Sequence, residues 1–182
     1  SAAKRGIVGT GTQTATVAFG GNTGSLTTST EEYNGSSWTG GGALPTANTQ
    51  MGSAGTQTAT LGFGGATPTK VTTTLTYNGS SWTAVNSMNT ARAGLGGSGS
   101  QTAALAFGGE PVSAVESWDG TNWVTAPSLG TSRKFAGAAG FSPNTASIVF
   151  GGDAGVGLTG TNATEEFTGE STAVNVKTLT QS

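Results

Sequence analysis

Apolar and polar positions alternate along this chain in short bursts, and the bursts come back at a fixed distance. Thr58-Ala59-Thr60-Leu61-Gly62-Phe63 is one such burst; a period of two over six residues predicts a strand with one buried face. A Gly/Ala-rich segment precedes each burst, as in Ala93-Gly94-Leu95-Gly96-Gly97-Ser98, and predicts a thin first strand. A double glycine follows and releases the chain into a loop of varied length. A third strand is predicted to end on the aromatic at 33, 77, 118 or 167. Asn-Gly or Asp-Gly comes next, a strong hairpin signal that predicts a type I′ turn. A fourth strand then starts at a tryptophan. No window carries a helical period, and the abundance of threonine favours strands.

The recurrence is a true internal repeat. Gly11-Thr12-Gln13-Thr14-Ala15-Thr16-Val17-Ala18-Phe19-Gly20-Gly21 returns at Gly55–Gly65 and Gly99–Gly109, and a diverged copy ends Ile148-Val149-Phe150-Gly151-Gly152. The double glycines begin at 20, 64, 108 and 151. Tyr33-Asn34-Gly35-Ser36-Ser37-Trp38 recurs in phase as Tyr77–Trp82 and Trp118–Trp123, and decays in the last copy to Phe167–Thr172. Four repeats, 3-50, 51-94, 95-136 and 137-182, make one domain of four four-stranded units. A lone unit cannot bury both faces, so neighbours must cover each other. Phe19, Phe63, Phe107 and Phe150 are predicted as one buried layer. Tyr33, Tyr77, Trp118 and Phe167 form another, with Trp38, Trp82 and Trp123 beside them. Of the aromatics only Phe135 and Phe141 fall outside this core and are left for a ligand platform.

An aromatic-ended strand and double glycine, then an aromatic, a turn and a tryptophan, resemble the kelch repeat across all four copies. The resemblance implies an all-β fold, a four-repeat kelch-like β-propeller with one blade of four antiparallel strands per repeat. The wording of the repeats is also similar to kelch-like proteins of marine phages and environmental bacteria. The period of about 44 is shorter than the kelch length of about 50. The basic residue that opens a kelch blade is matched by Lys4, Arg92 and Arg133 but replaced by Asn48, and Thr172 stands where a tryptophan is expected. The chain begins on an inner strand and ends on an outer one, so no blade is shared between the termini. The small first strands fit a tight axis. A closed four-bladed ring is favoured over an eight-bladed ring shared by two chains or a partial ring.

Composition narrows the chemistry. The 182 residues contain no cysteine and no histidine, and seven Lys+Arg stand against nine Asp+Glu. Disulfides, thiolate metal sites and histidine bases are excluded. Seven scattered cations do not make a phosphate-backbone surface, so no nucleic-acid partner is expected. No apolar run is long enough for a membrane helix, and the first residues do not read as a signal peptide. Among kelch-type propellers, the copper-radical oxidase site needs the missing histidine and cysteine, so that activity cannot carry over. The three-arginine cluster of sialidase-type propellers is not expected, because Arg92 and Arg133 occupy equivalent repeat positions. Gly94-Leu95-Gly96-Gly97-Ser98-Gly99 spells a dinucleotide fingerprint, but a strand follows it where a helix is required. Glu31-Glu32 and Glu165-Glu166 sit on strands, where neighbours face opposite ways; one member of each is expected to face solvent and guard a sheet edge. Asn34, Asn78 and Asn162 begin glycosylation sequons, the first two better explained as turns. No cofactor and no metal are expected.

What remains is the variable loop face, where the loops after the double glycines meet those between repeats. Asn22, Lys70, Glu110 and Asp153 are the candidate binding residues there, with Glu110 and Asp153 able to meet a cation or sugar hydroxyls. The function expected is a non-catalytic structural or adhesion module on a virion or other extracellular surface. Decoration and fibre proteins are the models, with particle proteins or glycans as partners and a homo-oligomer allowed. Two alternatives stand beside it: a carbohydrate-active enzyme using only the carboxylates of Glu110 and Asp153, and a cytoplasmic kelch-type adaptor.

Overall fold

A computed structural model describes residues 3–110, 112–139, 146–154, 160–170 and 173–179. Four antiparallel sheets of four strands follow one another along the chain. Blade 1 holds β1 (Val8–Thr12), β2 (Ala15–Phe19), β3 (Thr30–Tyr33) and β4 (Trp38–Gly40). Blade 2 holds β5 (Gly52–Thr56), β6 (Ala59–Phe63), β7 (Thr74–Tyr77) and β8 (Trp82–Val85). Blade 3 holds β9 (Gly96–Gly99), β10 (Ala104–Phe107), β11 (Val115–Trp118) and β12 (Trp123–Ala126). Blade 4 holds β13 (Gly137–Ala139), β14 (Ala146–Phe150), β15 (Thr164–Glu170) and β16 (Ala173–Leu179). Within each sheet the strands are in sequence order, and the inner strands β1, β5, β9 and β13 neighbour one another in turn. This is the four-bladed, all-β propeller that the repeats predict.

The turns differ from expectation in one respect. Tyr33 pairs with Trp38 and Tyr77 with Trp82, so the hairpin loops hold four residues, as the expected strand ends require, but the turn type is not the expected one. Gly35 has φ 92° while Asn34 is not left-handed, which is incompatible with a type I′ turn. Instead Asn34 Oδ1 accepts the N–H groups of Ser36 and Ser37, an Asx turn. Asn78 and Asp119 repeat the device. The two backbone N–H groups of Asn122 and Thr121 hold the Asp119 carboxyl below the usual carboxylate range.

The core lies in the seams between blades. Phe19 packs with Leu44, Met51 and Tyr77 between blades 1 and 2. Leu61 and Phe63 pack with Leu95, Trp118 and Trp123 between blades 2 and 3. Leu105 and Phe107 pack with Val149 and Phe167 between blades 3 and 4. Each such side chain contributes about 1.5–3 kcal/mol on full burial. Two residues predicted for this core are not in it: Phe150 is 46% exposed and Trp38 51% exposed, and Tyr33 is half-buried. They lie on the outward faces of blades 4 and 1, where among the described residues no core cluster joins the two sheets.

The opening basic residues also have a defined place. Arg92 is fully buried against Glu116 at 2.9 Å and donates to the carbonyls of Gly108 and Ala114. Arg133 does the same with Glu165, Gly151 and Ala163, and Lys4 meets Glu31 at 2.7 Å. Glu32, for its part, accepts the Tyr77 hydroxyl at 2.5 Å. Glu31, Glu32 and Glu165 are therefore fasteners within and between blades, so both members of the first doublet are engaged where one was expected to face solvent, while Glu166 lies half-buried on the outward face of blade 4.

Candidate functional site

The double glycines build the loop face. Gly20 and Gly21 have φ of 67° and 99°, a region open to glycine at no steric cost. A Cβ on Gly20 would lie 2.5 Å from the Asn48 carbonyl oxygen of the next blade. The turn lets Gly21 N–H donate to that carbonyl. Gly65 and Gly109 likewise donate to Arg92 and Arg133.

The residue after each double glycine pairs back onto the segment entering its own inner strand. Asn22 bridges Arg5, Ala66 bridges Thr49, and Asp153 bridges Lys134. The expectation that these loops share one face with the inter-repeat loops is met. Next to each bridge comes one left-handed residue: Gly6 (φ 61°), Gln50 (57°), Gly94 (70°) and Phe135 (55°). They form a collar. Gln50 N–H donates to Gly6, Gly94 N–H to Gln50, and Phe135 N–H to Gly94, each at 2.8 Å. Glycine fits such a conformation without cost, whereas a bulky L-residue there costs roughly 1–3 kcal/mol. Two of the four collar positions nonetheless carry glutamine and phenylalanine.

A cavity of about 510 Å³ opens at the collar, lined by Arg5, Gly6, Asn22, Thr49, Gln50 and Phe135. Phe135 is 51% exposed there, with Lys134 Nζ 5.9 Å from its ring centre. Deeper along the axis the inner strands of all four blades line a further space of about 300 Å³. Its hydroxyls are partly engaged: Thr10 donates to the Gly55 carbonyl and Ser53 to that of Gly9.

These findings sort the predicted site residues. Asn22 lines the mouth, although its Oδ1 is already engaged by the Gly24 N–H. Glu110 and Asp153 come together, but on a cation: Lys134 Nζ lies 3.5 Å from Glu110 and 3.9 Å from Asp153. Lys70 is exposed on the β6–β7 loop, bridged to Ala66, and does not line the mouth. Among the described residues no cluster of three or more Asp, Glu, His or Cys is arranged to hold a metal. Phe141 lies outside the described residues. Sequence reasoning missed Arg5, Thr49 and Gln50, and set Phe135 apart only as an aromatic left over for a ligand platform. The signal for two of them was in the repeat alignment, where Gln50 and Phe135 stand against Gly6 and Gly94.

No family model matches the sequence, and no curated protein matches it. Among solved structures the chain is similar to that of YjhT, with a TM-score of 0.76 and 12% sequence identity. The similarity covers 94% of this chain and 68% of that one. The fold is a kelch-like β-propeller. At that identity the likeness carries architecture, and the mouth must be read from its own residues.

Proposed function

We propose that this propeller is a non-catalytic binding module whose loop face receives a polyhydroxylated ligand, a glycan, at the collar. The observation that carries the reading is Phe135. It is an exposed aromatic in a conformation where two of its three repeat partners are glycine, and it stands at a cavity edged by Arg5, Asn22, Thr49 and Gln50. A flat apolar ring beside amide, guanidinium and hydroxyl groups suits a sugar, whose faces carry C–H groups and whose rim carries hydroxyls. Lys134 neutralises Glu110 and Asp153 from between them, which suits binding better than a pair of carboxylates held across a cleft. A cysteine-free, weakly charged exterior is compatible with service on a virion or other extracellular surface, which belongs to the same proposal.

A glycan array probed with the intact protein tests it. Binding without turnover is expected. Phe135→Gly is the decisive variant, because it relieves the left-handed strain while removing the ring. Stability should hold or rise by about 1 kcal/mol, while glycan binding is lost. A fall in stability with binding retained would end the reading. Turnover of a bound glycan that disappears in Glu110→Gln would favour the carboxylate enzyme.

A further inference from the structure

Each of the three packed seams joins the leading face of one blade to the trailing face of the next, and the first two share one chemistry. Phe19 of blade 1 meets Trp82 of blade 2 at 4.6 Å between ring centres, and Phe63 of blade 2 meets Trp123 of blade 3 at 5.0 Å. Each tryptophan donates its indole N–H to a threonine of the preceding blade: Trp82 to Thr30, Trp123 to Thr74. Gln57 spans back to the carbonyls of Thr16 and Tyr33, and Gln101 to those of Thr60 and Tyr77. In the first seam the Tyr77 hydroxyl donates to Glu32.

The outward faces of blades 4 and 1 carry both halves of one more such seam. Blade 4 offers Phe150 in the place of Phe19, Thr164 in that of Thr30 and Glu166 in that of Glu32. Blade 1 offers Trp38 for Trp82, Tyr33 for Tyr77 and Gln13 for Gln57. The tyrosine–glutamate pairing is the telling part. Tyrosine occupies its position only where the preceding blade, in repeat order, supplies a glutamate. Where that blade supplies Thr76 or Ser117, the position holds Trp118 or Phe167. Yet Phe150 is 46%, Trp38 51% and Ile7 40% exposed, and among the described residues no backbone hydrogen bond joins blade 4 to blade 1.

We propose that this seam forms between two copies of the chain, blade 4 of each against blade 1 of the other, closing a ring of two chains with a two-fold axis. A head-to-tail contact must close or run on as a filament, and two copies present two complete, identical seams. Each is the continuation of an interface the chain already makes twice, between blades 1 and 2 and between blades 2 and 3. Phe150 would pack on Trp38 and Ile7, the Trp38 indole would donate to Thr164, and the Tyr33 hydroxyl would donate to Glu166.

Native mass in solution tests the proposal. Wild-type protein is expected at twice the chain mass of 17.7 kDa. Phe150→Glu and Trp38→Glu, both at exposed positions and checked for intact strand circular dichroism, should each run as single chains. Mixed at high concentration, the two variants should form a two-chain species that neither forms alone, because one intact seam can then be made. Tyr33→Phe should weaken pairing by about tenfold or more, the loss of a hydrogen bond to a charged acceptor. A single-chain wild type overturns the proposal, since the ring then closes on itself or not at all. A larger, open-ended assembly overturns two-copy closure. Pairing that survives in either glutamate variant overturns the assignment of the faces.

Discussion

At the scale of single residues, the buried ion pairs show how a repeat changes several positions together. Blade 2 has Asn48 where the others have Lys or Arg, and Leu75 where they have Glu. Asn48 keeps one bond of its counterpart by donating to the Gly64 carbonyl. In blade 3 the Asn89 N–H donates to Glu116, and the matching residue in blade 2 is Pro45, which has no N–H to satisfy. Removing one partner of a buried pair strands the other's charge and costs about 3–5 kcal/mol. Arg92→Asn or Glu116→Leu alone should therefore destabilise by that much. The double variant, which copies blade 2, should lose at least about 2 kcal/mol less than the sum, as read by urea unfolding. Tyr77 gives a pH handle. Burial, and then its hydrogen bond to Glu32, push its hydroxyl up to about 12. The folded chain thus keeps a proton that the unfolded chain releases near pH 10. That contribution to stability is whole below about pH 10 and is lost as pH rises towards 12. Unfolding curves across this range should show the loss, and Tyr77→Phe should flatten it.

At the scale of elements, strands and their order were legible because period-two alternation and double glycines are local signals. The details of the turns were not. Asn-Gly announces a reversal, and the aromatics at 33 and 38 bound it, but the Asn34 side chain chooses an Asx turn. The role of Glu31 was equally hidden, because its partner Lys4 stands 27 residues away and no spacing rule joins them. The collar was half legible: glycine at 6 and 94 signals a left-handed site, but only the fold brings Phe135 round to the mouth beside Arg5. The glutamine clamps yield a comparison between equivalent positions. Gln101→Ala removes two bonds across a packed seam and should cost roughly 1–2 kcal/mol in thermal or chemical unfolding. Gln13→Ala, at an exposed position, should leave the stability of the single chain unchanged and weaken only the paired form.

At the scale of the whole molecule, four similar wedges leave one aromatic set uncovered, and that asymmetry was invisible in the repeats, which predict identical burial for identical letters. Phe150 and Phe19 are the same residue in the same strand, yet one is 46% exposed and the other 0%. Burial depends on what lies across the seam. Association through this surface would rest on apolar contact and hydrogen bonds, with little long-range charge in a chain of net charge -2. Raising salt from about 0.1 to 1 M screens exposed charges and should leave the two-chain mass in place. Dissociation by salt would point to a different contact.

The collar has a direction. Every N–H in it points back to the blade before, from Phe135 to Gly94 to Gln50 to Gly6, like arrows drawn one way round a dial. Any copy that continues the sequence must enter with the same sense of rotation, since a flipped copy would bring donor against donor. All its collars would then look towards the same side, making the assembly a one-sided plate on which the proposed binding would be confined to a single surface.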